Sequence, residues 1–234
     1  CSTRIEDQMN KLLIATNNQG KVKELHDLLK DIGIRLITPA EIHLDLDVHE
    51  DGATYAENAA KKATAFAQAS GIISLADDSG LEVDALDGGP GLYSARYGST
   101  KGEKLSDAGR RQFLLQNLID KPQPWTARFH ATIAIAIPEP LWSQVARRLQ
   151  VQEHTLTGKR AAGLHMFEGF CLGEIIPENR GTGGFGYDPI FLLPELGKPM
   201  AELNMDKKNR LSHRARAVMN ARETLKLLFT EPYL

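Results

Sequence analysis

An α/β fold, a mixed β-sheet under helical cover, is what this sequence predicts. Three observations carry that expectation. Short apolar runs alternate with helix-like stretches in the first half of the chain, and strand-like segments cluster in the second. The 234 residues, 42% of them hydrophobic, suffice for the core of one large domain or of one domain with an appended lobe.

Lys11 to Ala15 reads as a short buried strand. Val22, Leu25, Leu28, Leu29 and Ile32 then recur at three- and four-residue spacing, the mark of an amphipathic helix. Gly33 ends it, and Ile34 to Thr38 reads as a second strand. Tyr55 to Ala69 is alanine-rich, with Ala59, Ala63 and Phe66 on one face of an expected helix. The apolar run Ile72 to Ala76 is expected to be a strand that ends before Asp77, with a short extended piece at Leu81 to Val83. Gly88 to Gly91 is a loop, residues 106–119 a helix, and Thr126 to Ile137 a long strand that starts with alternation and ends wholly apolar. Phe170 to Ile176 and Pro189 to Leu193 read as further strands. A last helix is expected from Arg210 to Phe229, with Leu211, Ala215, Val218, Leu225 and Phe229 on one stripe.

Bulk properties exclude several classes. With 28 basic and 30 acidic residues the formal charge is −2, so no broad electrostatic footprint for duplex nucleic acid exists, and direct nucleic-acid binding is not expected. The apolar runs stop well short of the roughly 18 residues that cross a bilayer. The N-terminus is polar overall and shows no secretory signal; Met9 stands just before the first strand, so residues 1–8 are expected to lie outside the fold, with the domain proper spanning 9–234. Cys1 and Cys171 are too few for a disulfide framework, which fits a reduced, cytoplasmic protein.

Four motifs carry chemistry. Asp77-Asp78-Ser79-Gly80 places paired carboxylates against an apolar run, which is costly unless a cation or donors meet them. The same four residues are also ordinary turn formers. Thr16-Asn17-Asn18-Gln19-Gly20-Lys21 joins the first strand to the first helix, and is either an anion site, where unpaired N–H groups and the dipole favour phosphate, or a capping turn with a solvated lysine. It is not a Walker loop, because the earlier glycine is absent and Val22 replaces the metal-binding hydroxyl. Gly181 to Gly186 matches G-x-G-x-x-G, but Pro189 follows where a helix would have to open. What remains is either a close-approach loop whose Phe185 and Tyr187 suit a flat ring, or a tight turn with core aromatics. Lys207 to Arg216 concentrates basic residues that either form a solvated face or donate to phosphate and base oxygens. His26, His43 and His130 lack zinc spacing, and Cys171 lacks a basic neighbour in sequence.

Taken in order, these motifs, with Glu57-Asn58-Ala59, Ser94-Ala95-Arg96-Tyr97 and Ser212-His213-Arg214, closely resemble the inosine triphosphate pyrophosphatases over nearly the whole chain. The resemblance implies an elongated mixed β-sheet with flanking helices, two lobes around a central nucleotide-binding cleft, a homodimer, and a Mg2+ requirement. It implies hydrolysis of dITP, ITP and XTP to monophosphate and pyrophosphate, which clears deaminated purines from the nucleotide pool. By motif, Thr16, Asn17, Asn18, Gln19, Gly20, Lys21 and Lys62 would hold phosphate. Asp78 would be general base and metal ligand, with Glu50 as the other metal ligand and Asp51 the alternative. Ser79, Phe185, Gly186, Tyr187, Asp188, Lys208, His213 and Arg214 would contact the rest of the substrate.

One departure stands out, since residues 138–169 contain more chain than the bacterial pattern implies. Trp142, Val145 and Leu149 have helical spacing there, among the charges of Arg147, Arg148, Lys159 and Arg160. Two competing readings are a septum-inhibition-type pyrophosphatase acting on methylated or pyrimidine nucleotides, and a nucleotide-binding regulator without turnover. The sequence from Phe185 to Asp188 and the Ser212-His213-Arg214 triplet argue against the first. The Asp77-Asp78 pair with Lys21 and Lys62 argues against the second.

Overall fold

The computed structural model describes residues 10–100, 103–142, 145, 159–161 and 163–229. The N-terminal extension expected at residues 1–8 lies outside them, as do Arg147, Arg148 and Leu149.

Strand β1 (Lys11–Ile14) leads into helix α1 (Gln19–Leu29), then β2 (Arg35–Ile37), α2 (Tyr55–Ser70) and β3 (Ser74–Val83). Helix α3 (Asp107–Leu118), β4 (Trp125–Ala136), β5 (Lys159–Ala161) and β6 (Leu164–Ile175) follow. The chain closes with β7 (Phe191–Leu193), β8 (Lys198–Pro199), α4 (Met205–Leu211) and α5 (His213–Phe229). The strand order is β2-β1-β3-β4-β6-β7-β8, with β5 paired to β6. Pairing is parallel where βαβ connections operate, as in Leu13 opposite Ser74 and Lys11 opposite Arg35. It is antiparallel among β5, β6, β7 and β8. The sheet is therefore mixed, as the sequence predicts.

Local signals fix the helix ends. Asn18 caps α1 by accepting from the Lys21 N–H at 3.1 Å. Thr54 accepts from the Glu57 N–H at 3.1 Å, and Glu57 Oε2 accepts from the Ala53 N–H at 2.7 Å. Gly71 closes α2 in the left-handed region at φ 70°.

Two compact units divide the chain, and each has its own core. Unit 1 comprises the residues up to Asp78, Thr132–Gly169 and those from Arg216 onward. In it Leu13, Ala15, Ala59, Ala63, Phe66, Ala76 and Ala134 pack together. The small residues of α2 let the helix lie close on the strands. Unit 2 comprises Ser79–Ala131 and Phe170–Ala215. Its core is larger-grained, with Leu81, Leu114, Trp125, Phe129, Tyr187 and Phe191 buried. Truncating a core phenylalanine of this kind costs about 3–5 kcal/mol.

Three expectations need correction. First, β3 does not end at Ala76; it runs unbroken through Asp77, Asp78, Ser79 and Gly80 to Val83. The turn-forming residues stay extended because their side chains find tertiary partners and the Leu81 N–H donates to Ser94 Oγ at 2.8 Å. Second, β6 starts at Leu164, six residues before the expected Phe170. Leu164 and Met166 pack on the unit 1 core, so those residues of the 138–169 stretch are regular strand. Third, the last helix is two helices broken at Ser212, whose backbone is extended at ψ 154°. The Ser212 N–H ends α4 on the Lys208 carbonyl at 3.0 Å, and Ser212 Oγ accepts from the Ala215 N–H at 3.2 Å to start α5.

Candidate active site

Unit 1 gathers acid and base groups at the end of its parallel strands. Successive side chains of β3 alternate between faces. Ala76 belongs to the core with Ala59 and Ala63 of α2, so Asp78, two residues on, shares that face. Asp77 faces the other way and meets α1. Lys21 Nζ donates to Asp77 Oδ2 at 2.8 Å and to the Asp77 carbonyl at 3.1 Å. The turn before Lys21 is ordered by its own side chains, with Thr16 Oγ1 accepting from the Asn18 N–H at 3.2 Å. Asn17, Gln19 and Gly20 complete the strand-to-helix turn, and α1 opens at Gln19.

Asp78 is only 8% exposed. Burial pushes its carboxyl above the usual carboxylate range, opposed by Lys21 and reinforced by Glu50; Lys62 and a hydrogen bond from Asn58 pull the other way. Asn58 is buried and does two things at once. Its Oδ1 accepts from the Gly52 N–H at 2.7 Å, while its amide donates to Asp78. Glu50 forms an ion pair with Lys62 of α2. Asp51 instead pairs with Lys61 at 2.5 Å, and that lysine holds its carboxyl below the ordinary range. Glu50 thus lies close enough to Asp78 to raise its carboxyl, whereas Asp51 is exposed and held by Lys61.

Among the described residues no three or more His, Cys, Asp or Glu side chains form a preformed metal cage. A magnesium ion does not need one. It keeps several waters and is commonly held by one or two carboxylates together with substrate phosphates. Asp78 and Glu50, both hard oxygen donors, fit that mode.

Unit 2 builds an aromatic and cationic cluster from the glycine loop and the broken C-terminal helices. Asp188 Oδ2 accepts from the Phe185 N–H at 2.9 Å and from Lys208 Nζ at 2.7 Å. Lys208 is buried, and its Nζ lies 5.2 Å from the Phe185 ring centre. The Arg214 guanidinium lies 5.9 Å from the same ring and donates to Ser79 Oγ at 3.0 Å. His213, next to it, stacks on Phe129 with ring centres 4.7 Å apart. Gly184 has φ +74°, and a Cβ there would lie 2.0 Å from Asp188 Oδ2, so no side chain fits.

Sequence reasoning placed Tyr187 against the substrate; in the structure its side chain belongs to the core. It is 4% exposed and donates to the Ser94 carbonyl at 2.9 Å. Burial raises its phenol above the ordinary range. Ser94 itself links β3 to the loop by donating to the Gly91 carbonyl at 2.6 Å. The sequence reading gave Asn58 no role, although a buried amide on the alanine face of a helix was the signal that could have found it.

The fold is that of an α/β protein with a carboxylate–lysine cluster in one unit and an aromatic–cationic cluster in the other. Its sequence matches the model of the Ham1 family over residues 12–224, and the chain belongs to that family. It is 46% identical to the dITP/XTP pyrophosphatase of Desulforamulus reducens over 220 residues, covering 94% of this chain and 97% of that one. It is 42% identical to the dITP/XTP pyrophosphatase of Geobacter sulfurreducens, covering 90% and 94%. The Ham1 protein of Coxiella burnetii superposes with a TM-score of 0.74 at 34% identity, covering 92% of this chain and 98% of that one.

Proposed function

We propose that this protein hydrolyses nonstandard purine nucleoside triphosphates, dITP, ITP and XTP, to the monophosphate and pyrophosphate. The observation that carries the reading is the setting of Asp78: a carboxyl only 8% exposed, hydrogen-bonded by Asn58, with Lys21, Lys62 and Glu50 close enough to act on it. Its relatives at 42–46% identity are pyrophosphatases by name.

Unit 1 handles the phosphates. Lys21, Lys62 and the N–H groups of the turn from Thr16 to Gly20 neutralise and orient the triphosphate. A divalent cation, Mg2+ in this reading, when bound at Asp78 and Glu50 neutralises charge on phosphoryl oxygen. Asp78 accepts a proton from the water that attacks the α-phosphorus. A new P–O bond forms, the bond from the α-phosphorus to the bridging oxygen breaks, and pyrophosphate leaves with that oxygen. General-base help of this kind contributes typically about 10²–10⁴-fold.

Unit 2 handles the base and sugar. Phe185 offers the stacking face, and Lys208 and Arg214, beside it, offer donors. Hypoxanthine and xanthine present an acceptor oxygen at position 6, whereas adenine presents an amino donor there. Donor facing donor discriminates by roughly 10⁴-fold at a polar site. Gly186 and Tyr187 shape the loop that presents Phe185, Asp188 organises that loop, and His213, stacked on Phe129, precedes Arg214 in the chain. No helix among the described residues is long and apolar enough to cross a membrane. The reading includes a cytoplasmic homodimer without direct nucleic-acid binding.

The test is product release from dITP, XTP, GTP, ATP and a pyrimidine triphosphate, with magnesium and with chelator. Magnesium-dependent release of pyrophosphate from dITP and XTP, with ATP far slower, is the expected result; slow GTP cleavage would show a further group that meets the 2-amino substituent. Preference for the pyrimidine, or binding without products, would overturn it.

A further inference from the structure

Phe185 is held by more than its own loop. Two peptide planes flank its Cα, and each carries an N–H. The Phe185 N–H donates to Asp188 Oδ2 at 2.9 Å, within the loop. The next one, the Gly186 N–H, donates to Asp107 Oδ2 at 2.6 Å, from the first turn of α3. The Gly186 carbonyl in turn accepts from Arg111 Nη1 at 2.7 Å, one helical turn further along α3. Arg111 Nε also donates to Asn179 Oδ1 at 2.6 Å, and Arg110 pairs with Asp107 through its other oxygen. Gly186 has φ +60°, a conformation that closes the loop tightly and leaves its peptide groups without helix or strand partners of their own.

We propose that Asp107 and Arg111 are positioning residues that set the specificity of the base pocket by clasping the Gly186 peptide and so fixing the ring of Phe185. The inference rests on the proposed function for its consequence but not for its geometry. With both flanking peptide planes held by carboxylates, φ and ψ of Phe185 are fixed. The ring can then stay over Lys208 and Arg214 without an ordering cost at each binding event. Charge-assisted hydrogen bonds of this length are the stronger kind, and α3 supplies them from a rigid element. Neither residue touches a base in this reading; they act through Phe185. The segment from Asp107 to Arg111 carries no motif, and only the fold brings it 79 positions along the chain to Gly186.

The experiment uses the full chain and the variants D107A, D107N and R111A, with two readouts. Steady-state kinetics on dITP and ATP should show KM for dITP raised about tenfold in D107A and R111A, the equivalent of one lost charged hydrogen bond. kcat should stay within about threefold of the unaltered protein, and the preference for dITP over ATP should shrink in parallel. D107N keeps one acceptor for the Gly186 N–H and should recover most of the KM. Hydrogen exchange of the peptide containing Gly186 should quicken in D107A and R111A and stay slow in D107N. A kcat loss without a KM change, D107N as impaired as D107A, or unchanged exchange at Gly186 would each overturn the clasp. Failure of the functional reading shows separately, as an unaltered protein that does not cleave dITP; the exchange readout then still decides the clasp. If D107A does not fold, R111A and D107N carry the same comparison.

Discussion

Asp77 and Asp78 are neighbours in the chain and serve opposite faces of β3. Asp77 is bound to Lys21 of α1, and Asp78 is bound to Asn58 of α2. The two carboxylates therefore do different work, and the difference is measurable. Asp78→Asn should lower turnover at least about 100-fold while leaving the melting temperature unchanged or higher, because a desolvated charge is removed. Asp77→Asn leaves the half-buried Lys21 without its anion and should cost about 1–3 kcal/mol in urea unfolding. Equal midpoints for Asp77→Asn and the unaltered protein would refute the division.

Glu50 and Asp51 separate in the same way. Glu50→Gln should raise the magnesium concentration for half-maximal activity by about tenfold or more, a typical loss for a disturbed metal site. Asp51→Asn breaks only an exposed pair with Lys61 and should leave that concentration and the stability nearly unchanged. A reversed order in the metal titration would transfer the role to Asp51.

Gly184→Ala places a methyl group where the Asp188 carboxylate lies, at a backbone angle that L residues avoid. The variant should lose roughly 1–3 kcal/mol of stability and most of its affinity for dITP, since Phe185 and Lys208 both depend on Asp188. Thermal unfolding and the KM for dITP check it.

Tyr187 makes stability fall in alkali. Its phenol is raised in the folded protein from the ordinary value of 10.0. Above about pH 10 the unfolded chain releases a proton that the folded chain retains, so unfolding is favoured as pH rises. Below pH 10 the contribution is fully present. Tyr187→Phe should cost about 1 kcal/mol at neutral pH, through the lost bond to the Ser94 carbonyl, and should flatten the decline above pH 10. Parallel alkaline declines of the two proteins would show that Tyr187 plays no part in it.

Periodicity made the helices α1, α2 and α3 legible, since one stripe of Val22, Leu25 and Leu29 or of Ala59, Ala63 and Phe66 leaves few alternatives. The order of short motifs made the family legible, with Asp78, Lys21 and the Phe185 loop already marked. Periodicity misled where polar residues continue a strand. Asp-Asp-Ser-Gly has turn propensity, and only lysine and amide partners from other elements keep it extended in β3. Ser212 misled in the opposite sense, because its apolar neighbours read as one helix while its hydroxyl starts a new one.

The sequence by itself determined the fold class, most of the helices and strands, and the chemical types available, because those depend on local pattern and composition. The tertiary structure alone decided which carboxylate serves which face, that Glu50 rather than Asp51 acts on Asp78, and that Tyr187 turns inward. It alone placed Asn58, Asp107 and Arg111. Hydrogen bonds and ion pairs such as these join residues far apart in the chain, and their existence depends on distance and direction in space. No spacing along the sequence encodes that.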